Sequence, residues 1–514
     1  MAATKENPIV FYDILSQKDG SWSPYTYRTR LTLNYKGLPY RVEYLSYPDI
    51  EPTLRARGMT PVSDNFPRYT LPVIEDPSED PNSKPAFVAD SFNIAVYLDA
   101  KYPAPKYPLV IPPGTGALQK IATEQFNSEV GFALVPIALP LISTLGFLDE
   151  AGRKHFIRTR TAWFGDLSKL LDTSPEKWAV VEEKWDKFSK AFDCNDNANE
   201  AGPFIMGKEV SFADFAIGGF INWIQRVDEE GRGISPVSSH SIESTTALQI
   251  RTHNMAATKE NPIIFYDILS EHGTWSPNTY KTRLTLNYKR LPYRVEYVSY
   301  PDIAPMLKKL GVRATNPTPY ITYTLPMIAD PSPDPNDEPT YVVESFDIAV
   351  YLDKTYPAPK YPVVFPPGMR AVQKITSDLV FNELGLAILP AILRLIVRAG
   401  FLDEQGREHF LKTREEVFKQ IPADASIGSK FWGDAHEKWK WFGEILDLNE
   451  EGPFVTGKQI SFPDFVIGGI FFCLRRVEGG DMPMWNAIAE WQGGRWAQLW
   501  AEIEKLENNS TEVA

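Results

Sequence analysis

The sequence predicts an α/β domain followed by an all-α bundle, with this pair written twice. Three observations predict it. The first is a long internal repeat: Met1-Ala2-Ala3-Thr4-Lys5-Glu6-Asn7-Pro8-Ile9 returns as Met255-Ala256-Ala257-Thr258-Lys259-Glu260-Asn261-Pro262-Ile263. Trp22–Ile50 then aligns with Trp275–Ile303 and differs only at Tyr25/Asn278, Arg28/Lys281, Gly37/Arg290 and Leu45/Val298, so 25 of 29 positions are identical. A period of about 250 residues is far longer than the 20–50 of solenoid units, which makes this the duplication of a whole folding unit. The second observation is an alternation of short β-type and helical apolar patterns over the first hundred or so residues of each copy. The third is the loss of strand signals after the proline-rich Tyr102-Pro103-Ala104-Pro105.

Within copy one the elements follow in order. Pro8-Ile9-Val10-Phe11-Tyr12-Asp13 is a short β-rich run of the kind buried on both faces. Ser23-Pro24 is an N-cap followed by proline at the first helical position, and Tyr27, Leu31 and Tyr35 continue at helical spacing. Gly37-Leu38-Pro39 ends that helix, and Tyr40–Leu45 alternates as a strand. Pro48–Arg57 reads as a short helix. Leu71–Ile74 and Ala86–Ala89 read as strands across a polar turn, and Asp90-Ser91 opens a helix through Ile94, Tyr97 and Leu98. The order β-α-β-α-β-β-α gives domains at 1–102 and 255–356, with helical domains at 103–232 and 357–514.

The copies part after Val227 and Val477. Copy two continues with Met482, Met484, Trp485, Ile488, Trp491, Trp496 and Leu499, the pattern of one or two amphipathic helices. Copy one runs through Gly231, Gly233, Pro236 and a Ser/Thr-rich stretch, which predicts a linker at 233–254 and a bundle lacking its terminal helices.

Composition narrows the function. Hydrophobic residues at 43% and charged residues at 23% fit a globular protein and exclude a disordered or fibrous chain. A net charge of -13 argues against nucleic acid or an anionic membrane as partner. Two cysteines, Cys194 and Cys473, provide no disulfide framework and suit a reducing, cytoplasmic setting, and no apolar run follows the first charges as a signal peptide would need. Val130–Leu148 holds 19 uncharged residues, but it contains Pro136 and Pro140, and its counterpart carries Arg394 and Arg398. It is expected to be a core helix and not a membrane span.

Four motifs recur in the same order in both copies. Ser23-Pro24, Leu71-Pro72-Val73, Asp90-Ser91 and Ser211-Phe212-Ala213-Asp214-Phe215 match Ser276-Pro277, Leu325-Pro326-Met327, Glu344-Ser345 and Ser461-Phe462-Pro463-Asp464-Phe465. This series resembles the glutathione S-transferase family over both copies. The resemblance implies a thioredoxin-like, glutathione-binding domain at the start of each copy and a transferase-type helical bundle after it. It is closest to a fungal serine-type class related to bacterial lignin β-etherases. Ser23 and Ser276 are then the expected catalytic residues, each donating a hydrogen bond to the glutathione thiolate at a helix N-terminus. Pro72 and Pro326 are expected to be cis, presenting the backbone of Val73 and Met327 to the peptide. Asp90, Ser91, Glu344 and Ser345 are expected to hold the γ-glutamyl end. Glutathione is the implied co-substrate, a hydrophobic small-molecule electrophile such as an aryl ether its acceptor, and no metal is implied. Family members usually pair, which implies either an intramolecular pseudo-dimer or a homodimer.

Other residues receive structural expectations. Ser211 with Asp214, and Ser461 with Asp464, form S-x-x-D capping boxes. Tyr12 and Tyr266 sit inside the first strands as core, and His155 and His409 lack any ligand pattern. Phe126, Phe132, Leu134, Ile137 and Leu141 either line an electrophile cleft or fill the bundle core. No P-loop, Rossmann fingerprint, G-x-S-x-G elbow or zinc-spaced Cys/His set occurs.

Overall fold

The computed structural model describes residues 3–18, 20–78, 83–144, 146–195, 202–227, 257–314, 322–332, 334, 336–422, 424–449 and 451–513. The chain divides into two compact units, Met1–Thr245 and Thr246–Ala514.

In the first unit, β1 (Ile9–Ile14), α1 (Pro24–Tyr35), β2 (Tyr40–Leu45), α2 (Ile50–Ala56), β3 (Val73–Asp76), β4 (Ala86–Ala89) and α3 (Ser91–Lys101) form the α/β domain. The sheet order is β2-β1-β3-β4. β1 runs parallel to β2, with Phe11 opposite Val42, and antiparallel to β3, with Phe11 opposite Ile74. Every residue of β1 is buried, and its side chains alternate between two cores, as a pleated strand requires. Ile9 and Phe11 join Leu33, Ile74, Ile94 and Leu98 beneath α1 and α3. Val10 and Tyr12 join Leu45, Ile50, Leu54 and Val73 beneath α2.

The helical domain comprises α4 (Gly116–Phe126), α5 (Phe132–Ile142), α6 (Glu150–Phe164), α7 (Leu167–Leu170), α8 (Pro175–Ser189) and α9 (Phe212–Val227). A π turn at Asn127–Gly131 joins α4 to α5 in one continuous helix. The start of α9 is fixed by a buried carboxylate. Asp214 Oδ2 accepts both the N–H and the O–H of Ser211 at 2.8 Å, and its Oδ1 accepts the Ile205 N–H at 2.8 Å. The Asp214 half of the capping box expected from the sequence is present, and α4 adds to it through Gln119 Oε1, which accepts the Ala213 N–H at 2.9 Å.

The second unit repeats the plan with β5 (Ile263–Ile268), α10 (Pro277–Lys289), β6 (Tyr293–Val298), α11 (Tyr300–Lys309), β7 (Met327–Asp330), β8 (Thr340–Val343) and α12 (Ser345–Thr355). Its bundle holds α13 (Arg370–Leu379), α14 (Leu386–Ile396), α15 (Glu404–Thr413), α16 (Glu415–Gln420), α17 (Lys430–Leu446), α18 (Phe462–Glu478) and α19 (Pro483–Asn508). The sheet order β6-β5-β7-β8 matches the first unit, and Ser461 with Asp464 forms the full reciprocal capping box. α19 is two helical segments parted by non-helical backbone at Trp491–Gly494. Its Trp496 packs edge-on against Trp439 of α17 at 4.9 Å, and its Trp485 lies 5.2 Å from Phe471 of α18. The expected linker and the missing terminal helices of copy one fall at residues 228–256, outside the described residues.

Gly116–Ile142 and Arg370–Ile396 are long and apolar enough, by length and composition, to cross a membrane; 56% and 50% of their apolar windows are buried inside the protein. Burial on that scale is how a core helix uses an apolar face.

Two contacts join sheet and bundle within each unit. Lys36 Nζ, buried at the end of α1, reaches Asp99 at 2.7 Å and the Pro108 carbonyl at 2.9 Å; Lys289 repeats this with Asp353 and Pro362. Asp99 and Asp353 also accept backbone N–H groups of the connecting segment, from Val110 and Ile111 and from Val364 and Phe365. At the other end of α1, α9 crosses so closely that a Cβ on Gly219 would lie 2.4 Å from the Pro24 carbonyl oxygen; on Gly469 it would lie 2.6 Å from that of Pro277. Backbone cannot yield to such a contact as a side chain can. Gly469→Ala is therefore expected to destabilise the protein by about 1–3 kcal/mol, the range for overpacking, read as a lower thermal midpoint for the second unit's transition.

Candidate functional site

Proline at the first helical position sets the start of α1 and of α10, and leaves the preceding serine in extended backbone (Ser23 φ -69°, ψ 131°; Ser276 φ -71°, ψ 132°). The two hydroxyls differ in detail. Ser23 Oγ makes no capping hydrogen bond, whereas Ser276 Oγ accepts the Asn278 N–H at 3.3 Å. Trp22 and Trp275, which precede them, pack edge-on against Phe147 and Phe401 of the bundles at 5.3 and 5.5 Å. The tryptophan of the Trp-Ser-Pro motif thus anchors the helix entry to the bundle.

The Leu71–Pro72 and Leu325–Pro326 bonds are cis, as expected. Val73 and Met327, the next residues, are fully buried and sit opposite Tyr12 and Tyr266 in the sheet. The Asp90 N–H donates to the Pro72 carbonyl at 3.3 Å, which joins the proline turn to the start of α3. Asp90 and Glu344 adopt φ of 72° and 68° with ψ of 129° and 123°. L-residues rarely occupy that region, at a cost on the order of 1–3 kcal/mol, and residues held there cluster at functional sites. Asp90 Oδ1 accepts the N–H groups of Phe92 and Asn93 at 3.0 and 3.1 Å, capping α3. Glu344, one methylene longer, leaves α12 uncapped and accepts the Thr324 hydroxyl at 3.1 Å. Ser91 and Ser345 follow as the first, buried residues of these helices.

The sequence reading missed a cation at each site. Arg28 lies on α1 five residues after Ser23. Its Nη2 donates to Asn127 Oδ1 on the π turn at 2.7 Å, and its guanidinium lies 4.8 Å from the Tyr25 ring and 5.7 Å from the Phe220 ring. Burial pushes its pKa down to about 10, with the charge of Asp90 acting in the opposite direction. Lys281 is its counterpart, donating to Asn278 Oδ1 at 3.0 Å and sitting 5.1 Å from the Phe381 ring. Burial pushes its pKa down to about 8, opposed by Glu344 and Asp378. The signal was in the alignment: Arg28/Lys281 is one of four differences in an otherwise identical stretch, and it keeps the charge.

Other sequence candidates resolve into structure. Tyr12 is core, its hydroxyl donating to Glu75 at 2.6 Å, and burial pushes its pKa well above the usual range. Tyr266 is half-buried and pushed up to about 12 by burial. His155 and His409 stack on Tyr47 and Tyr300 at 6.0 and 6.3 Å, and burial pushes both pKa values down. Cys473 is buried and its thiol is pushed up to about 12; Cys194 is half-buried. Of the five apolar residues considered for the cleft, Phe126, Leu134, Ile137 and Leu141 are bundle core. Phe132 alone turns outward, at 65% exposure, as does Leu386, which likewise begins its helix after the π turn, at 45%. Among the described residues no cluster of three His, Cys, Asp or Glu side chains could hold a metal ion.

Fold and site define the class: a thioredoxin-like domain carrying a helical bundle, present twice. The chain belongs to the glutathione S-transferase family. The family's N-terminal domain matches residues 22–101 and 275–355, and its C-terminal domain matches residues 117–240 and 371–506. A glutathione S-transferase-like protein, ustS, from Aspergillus flavus is 34% identical over 243 residues, covering 45% of this chain and 85% of that one. Glutathione transferase GSTFuA3 from Phanerochaete chrysosporium is 31% identical, with a TM-score of 0.43, covering 48% of this chain and 97% of that structure. CsGST63524 from Ceriporiopsis subvermispora, solved in complex with glutathione, is 36% identical, with a TM-score of 0.42, covering 48% and 98%.

The backbone at Glu344 carries strain without a capping hydrogen bond to offset it. Glu344→Gly is expected to leave thermal stability unchanged or to raise it by about 1 kcal/mol, because glycine tolerates positive φ. Glutathione retention by the second unit, read by equilibrium dialysis, is expected to fall in the same variant.

Proposed function

We propose that the protein is a glutathione transferase that activates the thiol of glutathione for attack on hydrophobic electrophiles, aryl ethers among them. The observation that carries this reading is a serine hydroxyl at the same helix N-terminus in both units, with a cis-proline and a strained acidic residue opening α3 and α12. In it, Ser23 and Ser276 donate to the thiolate. The backbone of Val73 and Met327 pairs with the peptide. Ser91 and Ser345, with the amides of their helices, receive the γ-glutamyl carboxylate, and Asp90 and Glu344 pair with its amino group. Arg28 and Lys281 add positive charge beside an anionic ligand.

Magnitudes support the hydroxyl as the decisive donor. A thiol titrates near 8.5, and each unit of pKa corresponds to about 1.4 kcal/mol. Lowering it by about two units needs some 2.7 kcal/mol. The helix terminus supplies about 0.3–1 kcal/mol, and a hydrogen bond to a charged group about 1.5–3 kcal/mol. The two together reach the requirement, and the helix alone does not.

Phe132 and Leu386 offer apolar surface for the electrophile. Phe132 follows Gly131, which packs on Phe220, the ring that also contacts Arg28 and Tyr25. In the second unit α19 packs on α17 and α18 and extends the bundle, which favours that unit for turnover. A content of two cysteines is consistent with work in a reducing compartment such as the cytoplasm, and each unit is proposed to pair either with the other or with a second chain.

The test compares Ser23→Ala and Ser276→Ala in the full chain, using conjugation of a chromogenic electrophile and of an aryl-ether substrate. Ser276→Ala is expected to slow conjugation by about 10–100-fold at neutral pH, the loss of one to two pKa units. Ser23→Ala is expected to have the smaller effect. Unchanged rates in the double variant would contradict the reading.

A further inference from the structure

We propose that the edge of β2 in the first unit is a docking site for an acidic, extended segment of a partner protein, which adds a strand to the sheet. The second unit shows how such a segment is held. There the stretch after α19 lies along β6. The Val513 N–H donates to the Tyr293 carbonyl at 2.8 Å, and the Tyr293 N–H donates to the Thr511 carbonyl at 3.4 Å. Side chains set the register. Asn287 Oδ1 accepts the Ser510 hydroxyl and the Thr511 N–H, each at 3.2 Å, and the Thr511 hydroxyl donates to the Leu291 carbonyl at 2.6 Å. Arg283 reaches Glu507 at 2.8 Å and Glu512 at 2.7 Å. Under this cover Tyr293 is fully buried and Asn287 is 4% exposed.

Each of these receiving residues has an identical counterpart in the first unit. Arg30, Asn34, Leu38 and Tyr40 stand where Arg283, Asn287, Leu291 and Tyr293 stand. The register is also the same, with Ile9 opposite Tyr40 as Ile263 is opposite Tyr293, so the backbone N–H and carbonyl of Tyr40 face away from β1. The Tyr40 hydroxyl donates to Asn34 Oδ1 at 2.8 Å, the pair that Tyr293 and Asn287 form at 3.1 Å. The receptor is thus already assembled. Among the described residues β2 pairs with β1 alone; Asn34 is exposed and Tyr40 half-buried. Arg30 Nη2 donates to the Tyr44 hydroxyl at 3.0 Å, an exposed contact that a carboxylate, the stronger acceptor, can displace.

These groups define the occupant. When a peptide adds to a sheet edge, main-chain hydrogen bonds give affinity and side-chain contacts give specificity. Here the guanidinium of Arg30 selects carboxylates, and the Asn34 amide with the Leu38 carbonyl selects adjacent serine and threonine. A segment patterned as Glu507-Asn508-Asn509-Ser510-Thr511-Glu512 satisfies both. The chain's own C-terminus is not the occupant, because moving it to β2 would open β6 and exchange one paired edge for another with no gain. The segment therefore comes from a different polypeptide.

The experiment titrates the full chain into a fluorophore-labelled synthetic peptide of residues 505–513 and reads anisotropy. Saturable binding is expected. The tail tethered in the second unit acts at an effective concentration on the order of millimolar, so peptide at micromolar concentration reports on β2. Arg30→Ala is expected to weaken binding by about tenfold, the loss of a hydrogen bond to a charged group. A peptide carrying Glu507→Gln and Glu512→Gln is expected to lose a similar factor on the unaltered protein, which decides the matter if Arg30→Ala does not fold. A scrambled peptide of the same composition is expected to bind at least about tenfold more weakly, since net charge alone does not set register. Absence of saturable binding, or equal binding of the scrambled or glutamine peptide, would overturn the proposal. So would a dimer that takes up no peptide and dissociates on Arg30→Ala, because a second copy would then occupy this edge.

Discussion

The approach of α9 to the first turn of α1, and of α18 to that of α10, governs the geometry of each unit. A glycine at the crossing lets the bundle helix rest on the carbonyl of the proline that starts the site helix, at a separation no side chain would permit. Because that proline follows the site serine directly, sheet, bundle and serine share one fixed point. The capping boxes of Asp214 and Asp464 set where α9 and α18 begin, and so where the glycines fall. The buried Lys36–Asp99 and Lys289–Asp353 pairs fix the far end of the same site helices. Each unit is therefore held at both ends of one helix, and the proposed thiolate site lies at the end where the dipole favours an anion.

The duplicated units share this frame and differ in what surrounds it. In the second unit the C-terminal segment returns to the α/β domain. Val513 N–H donates to the Tyr293 carbonyl at 2.8 Å, and Arg283 binds Glu507 and Glu512 at 2.8 and 2.7 Å. The edge strand β6 gains a pairing partner there, a common way of protecting an exposed sheet edge. In the first unit the corresponding Arg30 turns to Tyr44 and Asp13. The cations beside the candidate sites differ likewise: Arg28 is a planar charge among aromatic rings, and Lys281 is a compact one whose pKa burial pushes down to about 8.

What was legible in the sequence was local. Ser-Pro and Asp/Glu-Ser are signals carried by adjacent residues through backbone restriction and capping, and the helices start where those signals stand; the cis bonds at Pro72 and Pro326 followed from the family resemblance, since Leu38–Pro39 and Leu291–Pro292 hold the same pair without a cis bond. The β1 run announced its burial by being apolar throughout. What was not legible depends on residues brought together by the fold. Nothing near Lys36 in the sequence shows that Asp99 will reach it, and nothing near Gly219 shows a carbonyl from residue 24. Helical periodicity also could not sort Phe126, Leu134, Ile137 and Leu141 from Phe132, because the π turn before α5 shifts which face meets the core. The positive φ at Asp90 and Glu344 was hidden for a different reason: acidic residues do not ordinarily occupy it, so composition gives no warning.

The central claim is that a helix-terminal serine in each unit holds glutathione as its thiolate. Its most direct measurement is a pH titration of the ultraviolet thiolate absorbance of glutathione bound to the intact protein. A transition about two units below that of the free thiol is the predicted result. A transition that coincides with free glutathione, with binding intact, would contradict the claim and leave the fold as a glutathione-binding module.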